Sequence, residues 1–427
     1  MKFKGFTKKE LLGIYEKMVL SRFLDNKQLI LLKQGKGFFH IGGSGHEAAG
    51  LAASLAFKPG FDYAYPYYRD QAFCLGWGMS SKDHLLAFLA KQGDPSSGGR
   101  QMPQHYGHKI TNLVSQSSST GTQFLQSVGA GFALQRNDEN AVVYVSAGEG
   151  TSSQGDFHEA LNWASREKAP VIFHIENNHY AISVPIENQT AGASVYKISA
   201  GYDNLSRFNV DGTNFFETHL AFNNAIERAR KGKGPSLIQS DVVRLLPHSS
   251  SDDQRKYRNE KDLDADKKRD PLLSFARLCI DAKVIHQEEF DKIKETIKAQ
   301  VDRDADWALD QPDPDSRDSM KNIYFNSKPQ KSEEPSLISG EKIVLVDAIN
   351  HALDEELALN PKMLVYGQDV AGGKGGVFTA TRGLTDKHGS DRVFNSPLAE
   401  SSIIGTAIGL STLGYKPVVE IQFGDYI

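Results

Sequence analysis

Ala141 to Gly150 reads AVVYVSAGEG, and Val171 to Asn178 reads VIFHIENN. Each begins as an uncharged run of β-branched, aromatic and aliphatic residues, the pattern of a strand buried on both faces. Between them, Asp156 to Glu167 has the periodicity of a helix. Strand, helix and strand in that order form a crossover unit, which needs a parallel sheet with covered faces. Parallel strands present their carboxyl ends at one edge, where open α/β sheets bind ligands. Glu149 follows the first run and Asn178 the second. A carboxylate and an amide oxygen converging there are hard ligands, suited to magnesium held together with phosphates. Gly148 and Gly150 flank Glu149 and permit a tight turn that lets a diphosphate approach the backbone. Singly, a Gly-x-Gly turn and an Asn pair are loop punctuation; their placement after neighbouring strands is what points to a site.

Working outward, Thr7-Lys8-Lys9-Glu10 reads as a capping box opening an amphipathic helix that runs to about Lys33. A second helix begins at His46 and stops before Pro59-Gly60. Tyr63 to Tyr68 reads as a Tyr-rich loop, and Gly121 to Gln135 as a helix of small residues. Phe215 to Arg230 predicts a helix, Ser236 to Val243 a strand, and Gln287 to Ala308 a further helix, with a polar stretch at 248–269. Residues 310–342 are rich in Pro, Ser, Asp and Lys without apolar periodicity and read as a linker between domains 1–309 and 343–427. The second segment predicts strands at Ile343 to Val346, Met363 to Tyr366 and Pro417 to Ile421. Helices are expected at Asp347 to Leu359 and Ser402 to Leu413. Asp425-Tyr426-Ile427 comes directly after a strand, so this second α/β domain is expected to be incomplete.

Composition narrows the function. The 427 residues are 39% hydrophobic and 24% charged with a net charge of −4, a globular balance with no basic, aromatic-rich stretch for nucleic acid. No apolar run is long enough for a bilayer. Two cysteines, Cys74 and Cys279, exclude a disulfide framework and a Cys-based zinc site and fit a reducing cytoplasm. His46-Glu47 and His158-Glu159 each lack the second His of a zinc-protease helix, and no Gly-x-Gly-x-x-Gly follows a strand to hold a nicotinamide cofactor.

Gly148-Glu149-Gly150 followed by Asn177-Asn178 resembles the thiamine diphosphate signature, with Glu in place of the usual Asp. Gly45 to Ala49, Pro66 to Asp70, Gly99 to Pro103, Glu176 to Ser183 and Pro247 to Asp253 are similar to the α subunit of 2-oxoacid dehydrogenase first components, and the Glu resembles the branched-chain subgroup. The resemblance implies a parallel-sheet thiamine diphosphate-binding fold. In it Glu149, Asn178 and the Tyr180 carbonyl would hold magnesium, while Tyr68 and Arg69 would hold the diphosphate. Ser118 and Thr120 match positions near the aminopyrimidine. Ser119 and Thr120 depart from the Pro and large aliphatic residue of many relatives, which leaves backbone contacts there. Arg244 and His248 match a loop at the active-site mouth, His248 with a catalytic role.

The segment after the linker resembles the start of the β subunit, a pyrimidine-binding domain, through Gly367 to Val370, Gly375 to Phe378 and Pro397-Leu398-Ala399-Glu400. By that resemblance Glu400 is catalytic, bonding an aminopyrimidine nitrogen, and Leu398 and Tyr426 lie near the cofactor. The whole implies a fused chain that decarboxylates a 2-oxoacid, branched-chain first, with pyruvate and acetoin as alternatives. It would pass the acyl group to the lipoyl domain of a dihydrolipoyl transacylase and work as a homo-oligomer with sites at subunit interfaces. The competing expectation is a cofactor-binding or assembly module without catalytic competence.

Overall fold

The central runs pair as parallel neighbours in the computed structural model, which describes residues 2–321, 323, 340 and 342–426. Five strands, β1 (Tyr63–Tyr65), β2 (Val143–Gly148), β3 (Val171–Asn177), β4 (Ser206–Asp211) and β5 (Ser236–Asp241), form a parallel sheet of order β1-β2-β3-β5-β4. This sheet belongs to the first of two units, Met1–Asp313 and Pro314–Ile427. Register sets the site: Gly148 lies beside Glu176, and Asn177 beside Asp241, so the residues after β2 and β3 leave the sheet at one edge.

Both faces of the central strands are covered, which explains their unbroken apolar sequence. On one face Tyr144 stacks on Phe73 at 4.0 Å, in a cluster with Trp77, Ile172, Phe222 and Ile238. On the other, Phe173 meets Phe124, which in turn packs edge-on against Phe157 at 5.1 Å. Those two rings come from α3 (Thr122–Arg136) and α4 (Gly155–Glu167), the crossover helix. α1 (Lys8–Lys33) packs with α6 (Gln287–Leu309) in a separate core around Tyr15, Met18 and Phe290, and α2 (Glu47–Ser54) and α5 (Phe215–Arg230) sit against one another. α1 starts as its sequence predicts. Thr7 Oγ1 accepts from the Glu10 N–H at 3.3 Å, and the Thr7 N–H donates to Glu10 Oε2 at 2.7 Å.

In the second unit β6 (Met363–Gly367), β7 (Val393–Asn395) and β8 (Lys416–Glu420) form a parallel sheet of order β7-β6-β8, with α7 (Leu345–Leu359) and α8 (Glu400–Thr412). The strand expected at Ile343 to Val346 is not formed. Helix α7 begins at Leu345 with Val344 as its cap, and Ile343, Val344 and Leu345 are all exposed. β-branched side chains favour a strand only when a neighbouring strand supplies their packing, and among the described residues none pairs there. Of the expected linker at 310–342, residues 310–321 are described and include a short turn of helix at Ser316–Met320, and 324–339 lie outside the described residues.

Three elements carry no apolar signature and escape the sequence pattern. β1 and β4 are the edges of the sheet, β1 inside the Tyr-rich stretch and β4 with most residues half-exposed. Glu260–Lys268 is a helix in the polar stretch, capped by Asn259 and ending on Lys267 and Lys268, where backbone carbonyls favour cations. Among the described residues no helix is long and apolar enough to cross a membrane.

Candidate functional site

The residues leaving β2 and β3 close over one another. The Asn178 N–H donates to Glu149 Oε2 at 3.1 Å, and Asn178 Oδ1 accepts from the Tyr180 N–H at 3.3 Å. Glu149 is 1% exposed and its second oxygen, Oε1, has no protein partner. Burial pushes its carboxyl upward, against the Asn178 N–H and the fields of Arg244 and Arg69, which favour the charged form. A buried carboxylate oxygen without a donor is a cost that a cation relieves, so the donor set suits a hard divalent ion.

The chain reverses immediately beyond these two groups. His179 and Ile182 adopt left-handed backbone (φ +69° and +59°), which folds Tyr180–Ala181 back onto Val184–Pro185. This tongue presses on the turn after Glu149. A Cβ at Gly150 would stand 2.6 Å from Ala181 Cβ, so glycine is required there for close approach. Gly148 is different. Its φ is −76° and a Cβ would meet nothing nearer than 3.8 Å, so neither its backbone conformation nor a protein neighbour requires glycine there.

A cleft of about 380 Å³ opens at this edge, lined by Tyr68, Arg69, Thr120, Gly148, Glu149, Gly150, Asn178, Tyr180 and His248 among others. Nine of the expected residues therefore converge. Ser118 lies in the wall of an adjoining pocket of about 180 Å³, which shares Tyr67, Tyr68, Thr120 and Thr151 with the cleft and adds Phe39, Ile41, Met102 and His105.

Arg69 is not a free fork. It donates to the Gly42 carbonyl at 2.7 Å and to the His248 carbonyl and Nδ1, both at 3.0 Å. Since guanidinium only donates, Nδ1 of His248 accepts and the imidazole hydrogen sits on Nε2. Burial, then the Arg69 and Arg244 charges, hold His248 down at about 4, so the ring is neutral near pH 7. Arg244 stands behind the cleft rather than in its lining. It is buried, donates to the Ile182 carbonyl at 2.9 Å and to the Tyr257 hydroxyl at 2.7 Å, and so ties the tongue to the loop carrying His248.

Beneath the cleft lies a polar network to which the sequence reading gave no role. Tyr67 Oη donates to Glu176 Oε2 at 2.8 Å, and His46 Nδ1 contacts the same oxygen. His174 links Tyr144 Oη (3.0 Å) to Ser240 Oγ (2.9 Å). Asp70 accepts from the Ser146 hydroxyl and, at 3.3 Å, from the Tyr144 hydroxyl. Burial, then the neighbouring Glu176 charge, push the Asp70 carboxyl up, and burial raises Glu176 to about 7. A histidine and a glutamate inside the otherwise apolar VIFHIEN run were the available signal.

Glu400, Leu398 and Tyr426 belong to the second unit. Glu400 opens α8, is half-buried, and accepts from Gln368 Nε2 at 3.0 Å. Leu398 is 84% and Tyr426 54% exposed.

Residues 15–317 match the model of the "Dehydrogenase E1 component" family, and residues 341–427 that of the "Transketolase, pyrimidine binding domain". The chain belongs to the dehydrogenase E1 family. Among E1 relatives, it is 38% identical over 320 residues to the 2-oxoisovalerate dehydrogenase subunit alpha of Bacillus subtilis, covering 75% of this chain and 97% of that one. It is 33% identical over 340 residues to the pyruvate dehydrogenase E1 component subunit alpha of Staphylococcus aureus, covering 79% and 88%. The corresponding subunit of Staphylococcus epidermidis is 34% identical over 345 residues. An E1 α-type domain and a pyrimidine-binding domain together imply thiamine diphosphate as cofactor.

Proposed function

We propose that this E1 chain oxidatively decarboxylates a 2-oxoacid, a branched-chain one by preference, and passes the acyl group to the lipoyl domain of a dihydrolipoyl transacylase. The observation that carries the reading is the convergence of Glu149, Asn178 and Tyr180 in one cleft, with a carboxylate oxygen left without a protein donor. Those three would hold magnesium, and Tyr68, Arg69, Gly148 and Gly150 would surround the diphosphate, Arg69 through its charge and the N–H groups beyond those given to Gly42 and His248. When bound, thiamine diphosphate supplies the electron sink for loss of carbon dioxide.

The chain's own residues supply orientation and proton control. His248, neutral and with its hydrogen on Nε2, offers a donor to the substrate at the cleft lining. Arg244 fixes the loop that carries it. Ser118 and Thr120 would stand beside the aminopyrimidine. In the second unit Glu400 would bond an aminopyrimidine nitrogen, with Leu398 and Tyr426 near the ring; Gln368 orients Glu400 through its amide. On this reading the chain is a fusion: 1–309 is α-type, 310–342 links, and 343–427 is the β-type portion. Its copies associate so that sites complete across a subunit interface. Preference for a branched-chain substrate is supported by Phe39, Ile41 and Met102 in the adjoining pocket and by the 38% identity to the 2-oxoisovalerate enzyme. A cytoplasmic location is supported by Cys74 and Cys279, both free and buried.

Calorimetric titration of the chain with thiamine diphosphate, with and without magnesium, tests the site. Magnesium-dependent binding that Glu149→Ala removes is the expected result. Equal binding without magnesium, or unchanged binding by the variant, overturns the assignment. Turnover of 3-methyl-2-oxobutanoate against pyruvate tests the substrate, and preference for pyruvate refutes the branched-chain choice.

A further inference from the structure

His105 had no place in the sequence reading, yet it lines the adjoining pocket together with Ser118. Its Nδ1 lies 3.2 Å from the Pro103 carbonyl and its Nε2 lies 2.6 Å from Ser118 Oγ. A carbonyl oxygen accepts and never donates, so Nδ1 carries the hydrogen of the neutral ring. Nε2 then has only a lone pair, and the Ser118 hydroxyl must spend its single hydrogen on it. With that hydrogen committed, Ser118 Oγ has only lone pairs left to offer. The hydroxyl is thus fixed as an acceptor, although a free serine could turn to serve either role.

We propose that His105 is a positioning residue that holds Ser118 as a hydrogen-bond acceptor, so that this wall takes a hydroxyl or amino group and disfavours a carboxylate or other oxyanion. This rests on the decarboxylase reading above, and it extends that reading by orienting the substrate. The acidic group of a 2-oxoacid turns away from Ser118 and toward the side bearing Arg69 and the Nε2 hydrogen of His248. The amino group of the cofactor's pyrimidine, or a hydroxyl formed on the substrate, meets the serine. The balance involves no net proton transfer: one hydrogen stays on Nδ1 and one on Oγ throughout.

Two readouts test the pair. The first needs no activity: NMR of the chain with isotope-labelled histidine, assigned by its loss in His105→Gln. The expected ring of His105 is the Nδ1–H tautomer, in the wild type and in Ser118→Thr. A ring in the Nε2–H tautomer overturns the proposal whether or not the chain is an enzyme. The second is steady-state turnover of a 2-oxoacid with an artificial electron acceptor, alongside magnesium-dependent cofactor affinity by calorimetry. His105→Ala and Ser118→Ala should each lower kcat/KM by about five- to tenfold, the scale of one lost hydrogen bond. The double variant should lose no more than either single one, because the two act as a unit. His105→Gln, whose carbonyl can accept from Ser118, should recover most of the loss. Additive losses, or no rescue by Gln, would sink the pairing. A wild-type chain that neither binds the cofactor nor turns over a 2-oxoacid would instead remove the decarboxylase reading, and the tautomer result would still judge the pair.

Discussion

Glu149 and Glu400 each stand at the start of a helical turn, in two parallel sheets that treat them differently. Glu149 follows a strand buried along nearly its whole length and is held by a backbone N–H from the neighbouring strand's end. Glu400 is half-buried at the head of α8 and is held by a side-chain amide. The central strands of the first unit's sheet are covered on both faces. In the second, strand β8 is only partly buried, and Ile404, Ile408 and Val418 are exposed. Where a sheet is sealed, site geometry is inherited from strand register and costs nothing further to maintain. Where it is open, the same kind of residue depends on side chains that keep their own freedom.

Four substitutions can break or sharpen this contrast. Glu400→Gln carries the largest expected effect, a drop in kcat of about 10²- to 10⁴-fold if its carboxylate manages a proton, with no shift of the thermal midpoint beyond error. A stability loss together with intact turnover would mean that Glu400 is structural. Phe173→Ala, in the sealed sheet and wholly buried, should cost about 3–5 kcal/mol in denaturant unfolding. A loss below about 1 kcal/mol would show that the sheet is not close-packed there. Gly150→Ala should cost about 1–3 kcal/mol from overpacking against Ala181 and weaken cofactor binding, read by calorimetry. The smallest effect belongs to Val418→Ser on the open sheet, within about 0.5 kcal/mol; a loss comparable to that of Phe173→Ala would erase the distinction between the sheets.

A pH experiment probes a buried histidine of the first unit that lies outside the sheet, on the helix Ser81–Phe88. His84 is buried, and burial holds its imidazole down at about 4, against an ordinary value of about 6.5. Because the folded value is depressed, the stability that comes from keeping this ring neutral is fully present above about pH 6.5 and is lost as the pH falls toward 4. His84→Gln should flatten the fall of unfolding free energy across that window. His174, held down at about 3, keeps part of the slope in place. An unchanged slope in the variant would show that His84 opens to water before it titrates.

The central strands and the crossover helix were legible because burial on both faces writes a continuous apolar run into the sequence. Glu149 and Asn178 were legible because they follow such runs. The edge strands were not, since β4 keeps one side toward water and β1 is only three residues long. Ile343 to Leu345 misled for the complementary reason: the residue types suit a strand, but no described neighbour pairs with them. The buried network of His46, Asp70, His174 and Glu176 was hidden because its members come from three separate segments, and only the fold brings their polar atoms within reach. His105 shows the same limit at the scale of one ring. Its role depends on which nitrogen faces the Pro103 carbonyl, and no spacing in the sequence encodes that.

The contact between Gly150 and Ala181 has a consequence for how this chain can change over generations. Gly150 is not in the left-handed region, so its backbone would accept an ordinary residue; what excludes one is Ala181, whose methyl would stand 2.6 Å and whose Cα 3.3 Å from the new Cβ. Alanine at 150 is therefore disfavoured as a first mutation, and glycine at position 181 removes the closer of the two contacts and leaves the one at 3.3 Å. The two sites, 31 positions apart (150 to 181), form an ordered pair in which one path of drift is open and the reverse sequence of steps passes through a damaged protein.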